Sequence, residues 1–387
     1  MRRGSTGRYQ MTSVAGEVVR AFIPSPLPPQ PPLDLDASRQ QLLERATLAL
    51  GRLDSVTMLL PEPDLFLYAY VRREAVLSSQ IEGTQSSLAQ LLLFEIEEAP
   101  GVPIDDVVEV SNYVAALHHG LQRLQEGFPL SNRLIREMHG ILLSRGRGST
   151  ESPGEFRRSQ NWIGGTRPGN AHFVPPPPDH VEDCMAALER FLHGEDNPYP
   201  TLVKAALAHV QFETIHPFLD GNGRIGRLLI AFVLHHDRVL SQPLLYLSLY
   251  FKQHRAEYYR LLDLVRAEGN WEAWFDFFLE GVESTATSAV ESVRRLLDLF
   301  QQDEQRIQRA QRRASTTLRV FRVLCERPLV TLKEVCRRTE LSFPAAAKAM
   351  ETLATLGIVQ EITGRQRNRA FAYQNYLKIL SEGTEVP

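Results

Sequence analysis

The sequence predicts a mainly α-helical protein with a winged helix-turn-helix at its C-terminal end. Three observations support this prediction. From residue 37 to about residue 313, apolar residues recur at spacings of three and four, which is the period of amphipathic helices. Only one convincing β-hairpin interrupts the first 300 residues. After residue 315, three short helical segments precede two strand-like segments around a basic loop.

Length and composition indicate a soluble protein with several domains. A chain of 387 residues is too long for one ordinary hydrophobic core. Its formal net charge of -3 gives no overall nucleic-acid signal. Three distant cysteines form neither a disulfide framework nor a zinc cluster, which indicates a reducing compartment. We find no signal peptide and no apolar run long enough for a bilayer, so we expect a cytoplasmic protein without membrane contact.

The N-terminal segment, residues 1–34, looks irregular, and its proline-rich part at 25–37 is expected to form a polyproline II strap. A ligand for a proline-binding domain is the alternative for this part. Helical periodicity then dominates. The predicted helices lie at 42–53, 65–84, 105–124, 131–144 with Ser131 as N-cap, 181–192, 200–216, 223–236, 254–269 and 271–313.

The predicted hairpin lies between residues 157 and 181. Its strand-like pieces QNWIGG and AHFVPP flank the segment TRPGN, in which Pro-Gly-Asn is typical of a turn. Further along, residues 306–370 contain fourteen Lys/Arg and five Asp/Glu, a local charge of about +9 that indicates a separate basic module. In that module, helices at 316–328, 331–339 and 342–359 and two strands within 359–373 predict a winged helix-turn-helix.

Residues 216–227, HPFLDGNGRIGR, combine a base, a carboxylate, a glycine-rich turn and two cations. Pro217 disfavours helical geometry at His216, so we expect His216 at the end of a helix beside a loop. The Gly-Asn-Gly turn at the start of the next helix can form an anion-binding nest. Arg224 and Arg227 share a face of that helix and can bind phosphate oxygens. Asp220 lies where a divalent cation bridging phosphates would bind.

This stretch therefore predicts a polyphosphate site with His216 as general base. The alternative is an ordinary loop with a capping histidine and solvated arginines. A zinc site is disfavoured, because Pro217 breaks the helical spacing and no third ligand is near. A P-loop is excluded, because the pattern GxxxxGK[ST] does not occur.

The same stretch resembles the signature of the Fic (filamentation induced by cAMP) family, HxFx[D/E]GNGRxxR, at every fixed position. The wider resemblance covers roughly residues 10–300, and a winged helix is a frequent C-terminal companion. It implies a Fic-fold helical bundle that transfers AMP from ATP to a protein hydroxyl and releases pyrophosphate. It makes His216 the base for a Ser, Thr or Tyr hydroxyl and Asp220 the Mg²⁺ ligand. The nucleotide-binding positions that it implies are Gly221, Asn222, Gly223, Arg224, Ile225, Gly226, Arg227 and Tyr259.

The resemblance also extends to the hairpin and to a possible brake. Residues 160–176 resemble the flap of the family, where an extended target segment would pair with the flap edge and hold its hydroxyl in line. SSQIEG at 78–83 resembles the inhibitory motif [S/T]xxxE[G/N], with Ser78, Glu82 and Gly83 matching. Taken alone, Glu82 is a solvated helix-end carboxylate in an unfavourable dipole position. If Glu82 pairs with Arg227, that arginine is withheld from the γ-phosphate, and we expect a resting state of low activity.

The sequence thus divides into an N-terminal Fic-associated region with the inhibitory helix (1–104), a Fic catalytic domain (105–300), a helical linker (301–315) and a winged helix-turn-helix domain (316–387). Lys348, Arg365, Arg367 and Arg369 could contact DNA phosphates, but the module could equally contact a target protein or a second copy in a homodimer. Two alternatives to AMP transfer stay open. One is transfer of another nucleotide or phosphate group, or removal of AMP. The other is a nucleotide-sensing, DNA-binding regulator.

Overall fold

A computed structural model describes residues 3–58, 63–97, 104–194, 199–310, 314–365 and 369–384. It confirms the mainly α-helical prediction. The first eleven helices are α1 (Ala37–Met58), α2 (Pro63–Ile81), α3 (Leu88–Glu97), α4 (Ile104–Gln125), α5 (Asn132–Leu142), α6 (Pro178–His193), α7 (Thr201–Ile215), α8 (Asn222–His236), α9 (Ser248–Gln253), α10 (Arg255–Glu268) and α11 (Trp271–Ala310). No helix in these described ranges is long and apolar enough to cross a membrane.

Helices α7 and α8 form the centre of the bundle. Every residue of α7 except Thr201 and Lys204 is buried, because α6, α8, α10 and α11 surround it. Helix α8 packs against α7 and also contacts α4, α5 and α2. The loop between α7 and α8, residues 216–221, is therefore held on both sides by rigid buried helices. Helix α2 reaches this loop from outside, and the long α11 packs along α1.

The expectation of an irregular N-terminus is wrong for residues 7–24. Strands β1 (Gly7–Val14) and β2 (Glu17–Pro24) form an antiparallel hairpin whose turn places Ala15 and Gly16 at φ of 49° and 82°. Ala-Gly is not one of the strong hairpin-turn sequences, so the turn gave no signal. The hairpin is stabilised by tertiary contacts: Val19 and Ala21 pack on Val174. Residues 25–36 form neither helix nor strand, as expected.

The hairpin predicted at 160–176 is much less regular than its sequence suggested. One antiparallel bridge, Ile163 with Phe173, is its whole ladder. The turn is a 3-10 helix, Pro168–Asn170, and the Asn170 Oδ1 accepts the backbone N–H groups of Thr166 and Arg167, each at 3.0 Å. The four prolines at 175–178 cannot donate ladder hydrogen bonds, which limits the strand. We call residues 160–176 the flap.

The C-terminal part has the architecture of a winged helix. Its elements are α12 (Ser315–Glu326), β3 (Leu329–Thr331), α13 (Leu332–Thr339), α14 (Phe343–Thr355), β4 (Gln360–Glu361), β5 (Ala370–Ala372) and α15 (Gln374–Ser381). The antiparallel sheet has the order β3-β5-β4. The sequence did not suggest β3 and α15, and Arg367, one of the predicted wing cations, lies outside the described residues. Helix α15 packs on α11 and α2, so this module contacts the helical bundle directly.

Candidate active site

His216 ends helix α7 in the left-handed conformation, with φ of 50° and ψ of 61°. Its backbone N–H donates to the Phe212 carbonyl at 2.9 Å. The buried Arg157 holds its other side: Nε donates to the His216 carbonyl at 2.9 Å, and one terminal nitrogen donates to the Pro176 carbonyl at 2.6 Å. Arg157 therefore links the end of α7 to the flap. No sequence signal distinguished it from the other arginines of its segment.

The imidazole of His216 is uncharged at neutral pH. Burial, followed by the charges of Arg157 and Arg266, lowers the pKa of His216 to about 3. The neutral ring is the form that can accept a proton, so the site holds a base in its competent state.

The loop after His216 is fixed by its own asparagine. The Asn222 side chain accepts the backbone N–H of Phe218 and donates to the Phe218 carbonyl, both at 2.9 Å. Gly221 has a φ of 78°, which favours glycine, and its N–H donates to Asp220 Oδ1 at 2.7 Å. Asn222 thus shapes the loop through its side chain, while the first backbone N–H groups of α8 have no partner within the helix and can face an anion.

His139 supports the loop from α5 and was not identified from the sequence. Its Nδ1 accepts the backbone N–H of Gly154 at 2.9 Å, so Nε2 carries the proton and donates to the Asp220 carbonyl at 2.9 Å. The ring stacks on Phe218, with centroids 3.6 Å apart. Burial lowers the pKa of His139 to about 4, which keeps this tautomer neutral. His139 thus positions the backbone of the residue expected to bind Mg²⁺.

Arg224 is fully buried beneath the loop. One terminal nitrogen pairs with Glu109 Oε1 of α4 at 2.5 Å, and the other lies 3.6 Å from Asp220 Oδ2. Its Nε and NH2 have no hydrogen-bond partner among the residues the structure describes. Burial outweighs the attraction of Arg224 and raises the pKa of Glu109. Glu109 is a second residue that the sequence did not single out, because it lies 115 positions from its partner.

Arg227 is held by the segment that resembles an inhibitory motif. Its Nε donates to Ser78 Oγ, and its NH2 donates to the Ser78 carbonyl and to Glu82 Oε1, all at 2.8 Å. Burial opposes ionisation of Glu82, but the charge of Arg227 outweighs burial and lowers the Glu82 pKa. A Cβ on Gly223 would lie only 2.2 Å from Glu82 Oε1, so glycine at 223 permits this approach. Gly83, at φ 97°, turns the chain away immediately afterwards.

Two more buried carboxyl groups surround Arg227. Burial raises the pKa of Glu213 and of Glu74 to about 7, although the charge of Arg227 opposes both shifts. Glu213 Oε1 would lie 2.3 Å from a Cβ on Gly226, which explains a glycine there. Neither carboxyl forms an ion pair with Arg227 within the described ranges, so Glu82 is the carboxylate that neutralises it.

The two tyrosines of α10 occupy different environments. Tyr258 is in the core, where its hydroxyl lies 2.9 Å from Nε2 of His209, whose Nδ1 donates to the Gly226 carbonyl at 2.8 Å. Tyr259 is 38% exposed, with its ring 5.1 Å from that of Tyr258. Burial and the nearby charge of Glu82 raise the pKa of Tyr259. Tyr259 therefore lies at the solvent edge of the site, beside Glu82.

The described residues contain no group of three or more His, Cys, Asp or Glu placed to hold a metal ion. Magnesium nevertheless often binds through one carboxylate together with substrate phosphates. Asp220 fits that role, because its side chain is 35% exposed and its Oδ1 accepts only the Gly221 N–H among the described residues.

The fold and the arrangement of the site residues are typical of Fic proteins. Residues 40–122 match the model of the Fic/DOC family N-terminal region, and residues 129–234 match that of the Fic/DOC family. The chain therefore contains segments that match a Fic/DOC family N-terminal region and a Fic/DOC family domain.

Proteins that are related in sequence to this chain carry the name of the same family. The "Protein adenylyltransferase Fic" of Drosophila ananassae is 33% identical over 208 residues, which are 53% of this chain and 39% of that protein. The protein of the same name in Drosophila grimshawi is 32% identical over 208 residues, 53% of this chain and 40% of that protein. The chain thus spans well under half the length of these relatives.

Structural similarity extends further along the chain. A Fic family protein from Desulfovibrio desulfuricans superimposes with a TM-score of 0.57 and 19% identity, covering 89% of this chain and 98% of that one. Fic-1 of C. elegans superimposes with a TM-score of 0.52 and 23% identity, covering 68% and 77%. These two structures show that the fold is shared.

Proposed function

We propose that this protein transfers AMP from ATP to a Ser, Thr or Tyr hydroxyl of a target protein and releases pyrophosphate. The observation that carries the proposal is the position of His216 at the end of α7, next to the start of α8. His216 removes the hydroxyl proton, and the hydroxyl oxygen bonds to the α-phosphorus. The bond from that phosphorus to the β-phosphate oxygen breaks, and pyrophosphate carries away the electron pair.

The phosphates would be bound by α8. Its first backbone N–H groups, from Asn222, Gly223 and Arg224, face the loop and suit an anion. The unpaired Arg224 Nε and NH2 add charge close to Asp220. Asp220 would hold Mg²⁺, which neutralises phosphate charge when it is bound. Tyr259, which is 38% exposed, would contact the nucleoside.

The structure of the Arg227 side chain supports the proposal of a brake. The hydrogen bonds of Arg227 to Ser78 and Glu82 engage its guanidinium away from a γ-phosphate. Freeing Arg227 would leave Glu213 and Glu74 as its nearest carboxyls. The proposed resting state therefore binds ATP in a pose unsuited to in-line attack.

We also propose that the flap docks the target segment. Trp162 is 38% exposed on the flap and would contact an extended target segment there. The flap is supported from behind by β2, because Phe22 donates its N–H to the Val174 carbonyl at 2.9 Å and Glu17 pairs with Arg167 at 2.9 Å. Such support would keep the acceptor hydroxyl near His216.

For the winged helix, the structure favours contact with protein over contact with DNA. Arg337 and Arg338 both bind Glu334, and these pairs lower the pKa of Glu334 to about 2. Their charge is therefore largely neutralised. At the start of α14, Phe343 is 61% exposed, which suits an apolar partner. We propose that the chain has four parts, at residues 1–104, 105–300, 301–315 and 316–387. The winged helix is the last of them.

The decisive test is transfer of label from ATP. Wild type, Glu82→Gly, and Glu82→Gly with His216→Ala are incubated with ATP labelled at either the α- or the γ-phosphate. We expect the α-label in protein to rise in the first variant and to disappear in the second. Retention of the γ-label instead would indicate phosphoryl transfer, and absence of both labels with ATP still bound would favour a nucleotide-sensing regulator.

A further inference from the structure

A cavity lies against helix α2, on the N-terminal side of Ser78 and Glu82. It has a volume of about 140 Å³ and lies between α2, α9 and α11. Arg73 and Glu74 of α2 form its inner wall, Tyr246 and Tyr250 line its sides, and the exposed Ser284 lies at its mouth. Of the residues described at the candidate active site, only Glu74 also lines this cavity.

The inner wall carries buried polar atoms of opposite charge that have no partner. Glu74 is 3% exposed, and its Oε1 accepts from the hydroxyls of Tyr113, at 3.2 Å, and of Ser248. Its other oxygen, Oε2, has no hydrogen-bond partner in the described part of the chain, nor has Arg73 Nε or the Tyr246 hydroxyl. Arg73 is 7% and Tyr246 6% exposed. Buried polar atoms are normally satisfied, so three orphans around one cavity point to a ligand.

The opposite charges of Arg73 and Glu74 determine which kind of ligand the cavity can bind. A simple amine would be attracted by Glu74 and repelled by Arg73, and a simple carboxylate would meet the opposite problem. A zwitterion satisfies both. The rings of Tyr70, Tyr246 and Tyr250 also favour an ammonium group, because the faces of aromatic rings attract cations.

We propose that this cavity binds a free α-amino acid. Its ammonium group would donate to Glu74 Oε2 and the Tyr246 hydroxyl, and its carboxylate would accept from Arg73 Nε. Its side chain would point to the mouth near Ser284, beside Leu77 and Leu249. Burial raises the pKa of Glu74 to about 7, and an arriving ammonium would favour the ionised form.

The cavity is mechanically connected to the brake. Glu74 and Ser78 lie one turn apart on α2, and Glu82 follows one residue after its end. The cavity exists in the conformation in which Ser78 and Glu82 hold Arg227. A ligand that binds this conformation stabilises it, so the amino acid should strengthen the brake. This consequence, unlike the binding site itself, rests on the proposed function.

Binding is tested on the full chain by isothermal titration calorimetry with the twenty common amino acids. For the tightest, the corresponding amine without the carboxylate and the acid without the amine are titrated as well. We expect one site per chain, with both analogues at least tenfold weaker. Failure of all twenty amino acids to bind, or equal binding of either analogue, would overturn the proposal.

Two variants assign the site. Glu74→Gln removes the charge, and Tyr246→Phe removes one hydroxyl without altering the shape of the ring. We expect each to weaken binding at least tenfold, whereas Thr287→Ala, an exposed change on α11 outside the cavity, should leave it unchanged. Unchanged affinity in Tyr246→Phe and Glu74→Gln, with wild-type melting curves, would place the ligand elsewhere and refute the site.

The link to the brake has its own readout. The amino acid should lower α-phosphate labelling by wild type at least twofold and should not affect Glu82→Gly. Binding without any change in labelling would refute the link and leave the site standing. Binding in a protein that labels nothing, even as Glu82→Gly, would instead count against the proposed function alone.

Discussion

Glu82 Oε1 accepts a hydrogen bond from the NH2 of Arg227 at 2.8 Å, and Ser78 accepts from the Nε and from the same NH2. The arginine is almost fully buried, while the carboxylate side chain is 30% exposed. This asymmetry matters, because the exposed partner can be removed or moved without opening the core. Releasing the brake by moving Glu82 therefore costs less free energy than releasing it by moving Arg227.

Replacing Glu82 should release activity. Glu82→Gly leaves Arg227 with only Ser78 as a partner, and we expect AMP transfer to rise on the order of a hundredfold, since breaking such a pair is worth a few kcal/mol. Glu82→Gln keeps a hydrogen-bond acceptor and should give a smaller rise. Initial rates of α-phosphate labelling measure both. The control is Glu257→Gln, which removes an exposed carboxylate paired with Arg260; equal rates in wild type and Glu82→Gly would contradict the brake.

The contact between Gly223 and Glu82 should appear as a coupling in stability. Gly223→Ala places a Cβ 2.2 Å from Glu82 Oε1, so we expect it to lower the free energy of unfolding by about 1–3 kcal/mol in wild type. In a Glu82→Gly background the nearest remaining neighbour is a terminal nitrogen of Arg227, 3.0 Å from the Cβ position, which can shift, so the same change should cost less than about 0.5 kcal/mol. Urea denaturation of the four proteins gives both values. Identical costs in the two backgrounds would show that the obstacle lies elsewhere.

The local chemistry of the site could be predicted from the sequence, because it is contained in one short segment. Pro217 and the Gly-Asn-Gly turn place His216 and the start of α8 without help from distant residues. The supporting residues could not be predicted in this way. His139 and Glu109 come from α5 and α4, and nothing in their own segments indicates a partner 81 or 115 positions away.

The strands show the same contrast between local sequence signals and contacts with distant residues. The winged helix was predictable from its helix lengths and basic loop, and the mainly helical fold is confirmed. The hairpin β1–β2 was missed because its strands are held by packing against the flap, while the flap itself looked more regular in sequence than it is. In both places, tertiary contacts outweighed local strand propensity.

Glu213 should make stability depend on pH. Burial raises its pKa from 4.5 to about 7. Below pH 4.5 the folded and unfolded states both bind the proton, and between 4.5 and 7 only the folded state keeps it. The free energy of unfolding must therefore fall as pH rises through this window, on the order of 3 kcal/mol for this group alone.

Glu213→Gln should remove that part of the pH dependence. Urea denaturation at pH 5 and pH 8 should show a smaller loss of stability in the variant than in wild type. Glu182→Gln, a change on the exposed face of α6, serves as the control and should retain the wild-type difference. An equal loss in wild type and Glu213→Gln would mean that Glu213 is ionised in the folded protein at neutral pH.

The winged helix should bind DNA weakly at best. Because Arg337 and Arg338 are paired with carboxylates, these two cations are withheld from phosphates, and we expect no retardation of a random duplex by the full chain at 150 mM salt. Glu334→Gln frees Arg337, while Arg338 keeps Glu326 as a partner, and the change should increase binding at low salt. Tight, salt-dependent binding by wild type would reverse our preference for a protein partner.

His139 should control the metal dependence of the reaction. His139→Phe retains a ring that can stack on Phe218 but removes the hydrogen bonds to the Asp220 carbonyl and from the Gly154 N–H. The Asp220 carboxylate then loses its fixed backbone. In the Glu82→Gly background, where activity is measurable, we expect the Mg²⁺ concentration for half-maximal labelling to rise about 10- to 100-fold, as is usual when the residues that orient a metal ligand are lost.

A variant at Phe156, which also packs on the ring of Phe218, distinguishes a lost orientation of Asp220 from a general loss of packing. Phe156 packs on Phe218 with ring centroids 5.4 Å apart but makes no hydrogen bond to the loop in the described structure. Phe156→Leu should lower stability and leave the Mg²⁺ requirement unchanged. A matching rise in both variants would mean that packing on Phe218, and not the hydrogen bond from His139, holds Asp220 in place. A rise confined to His139→Phe would assign that role to the imidazole.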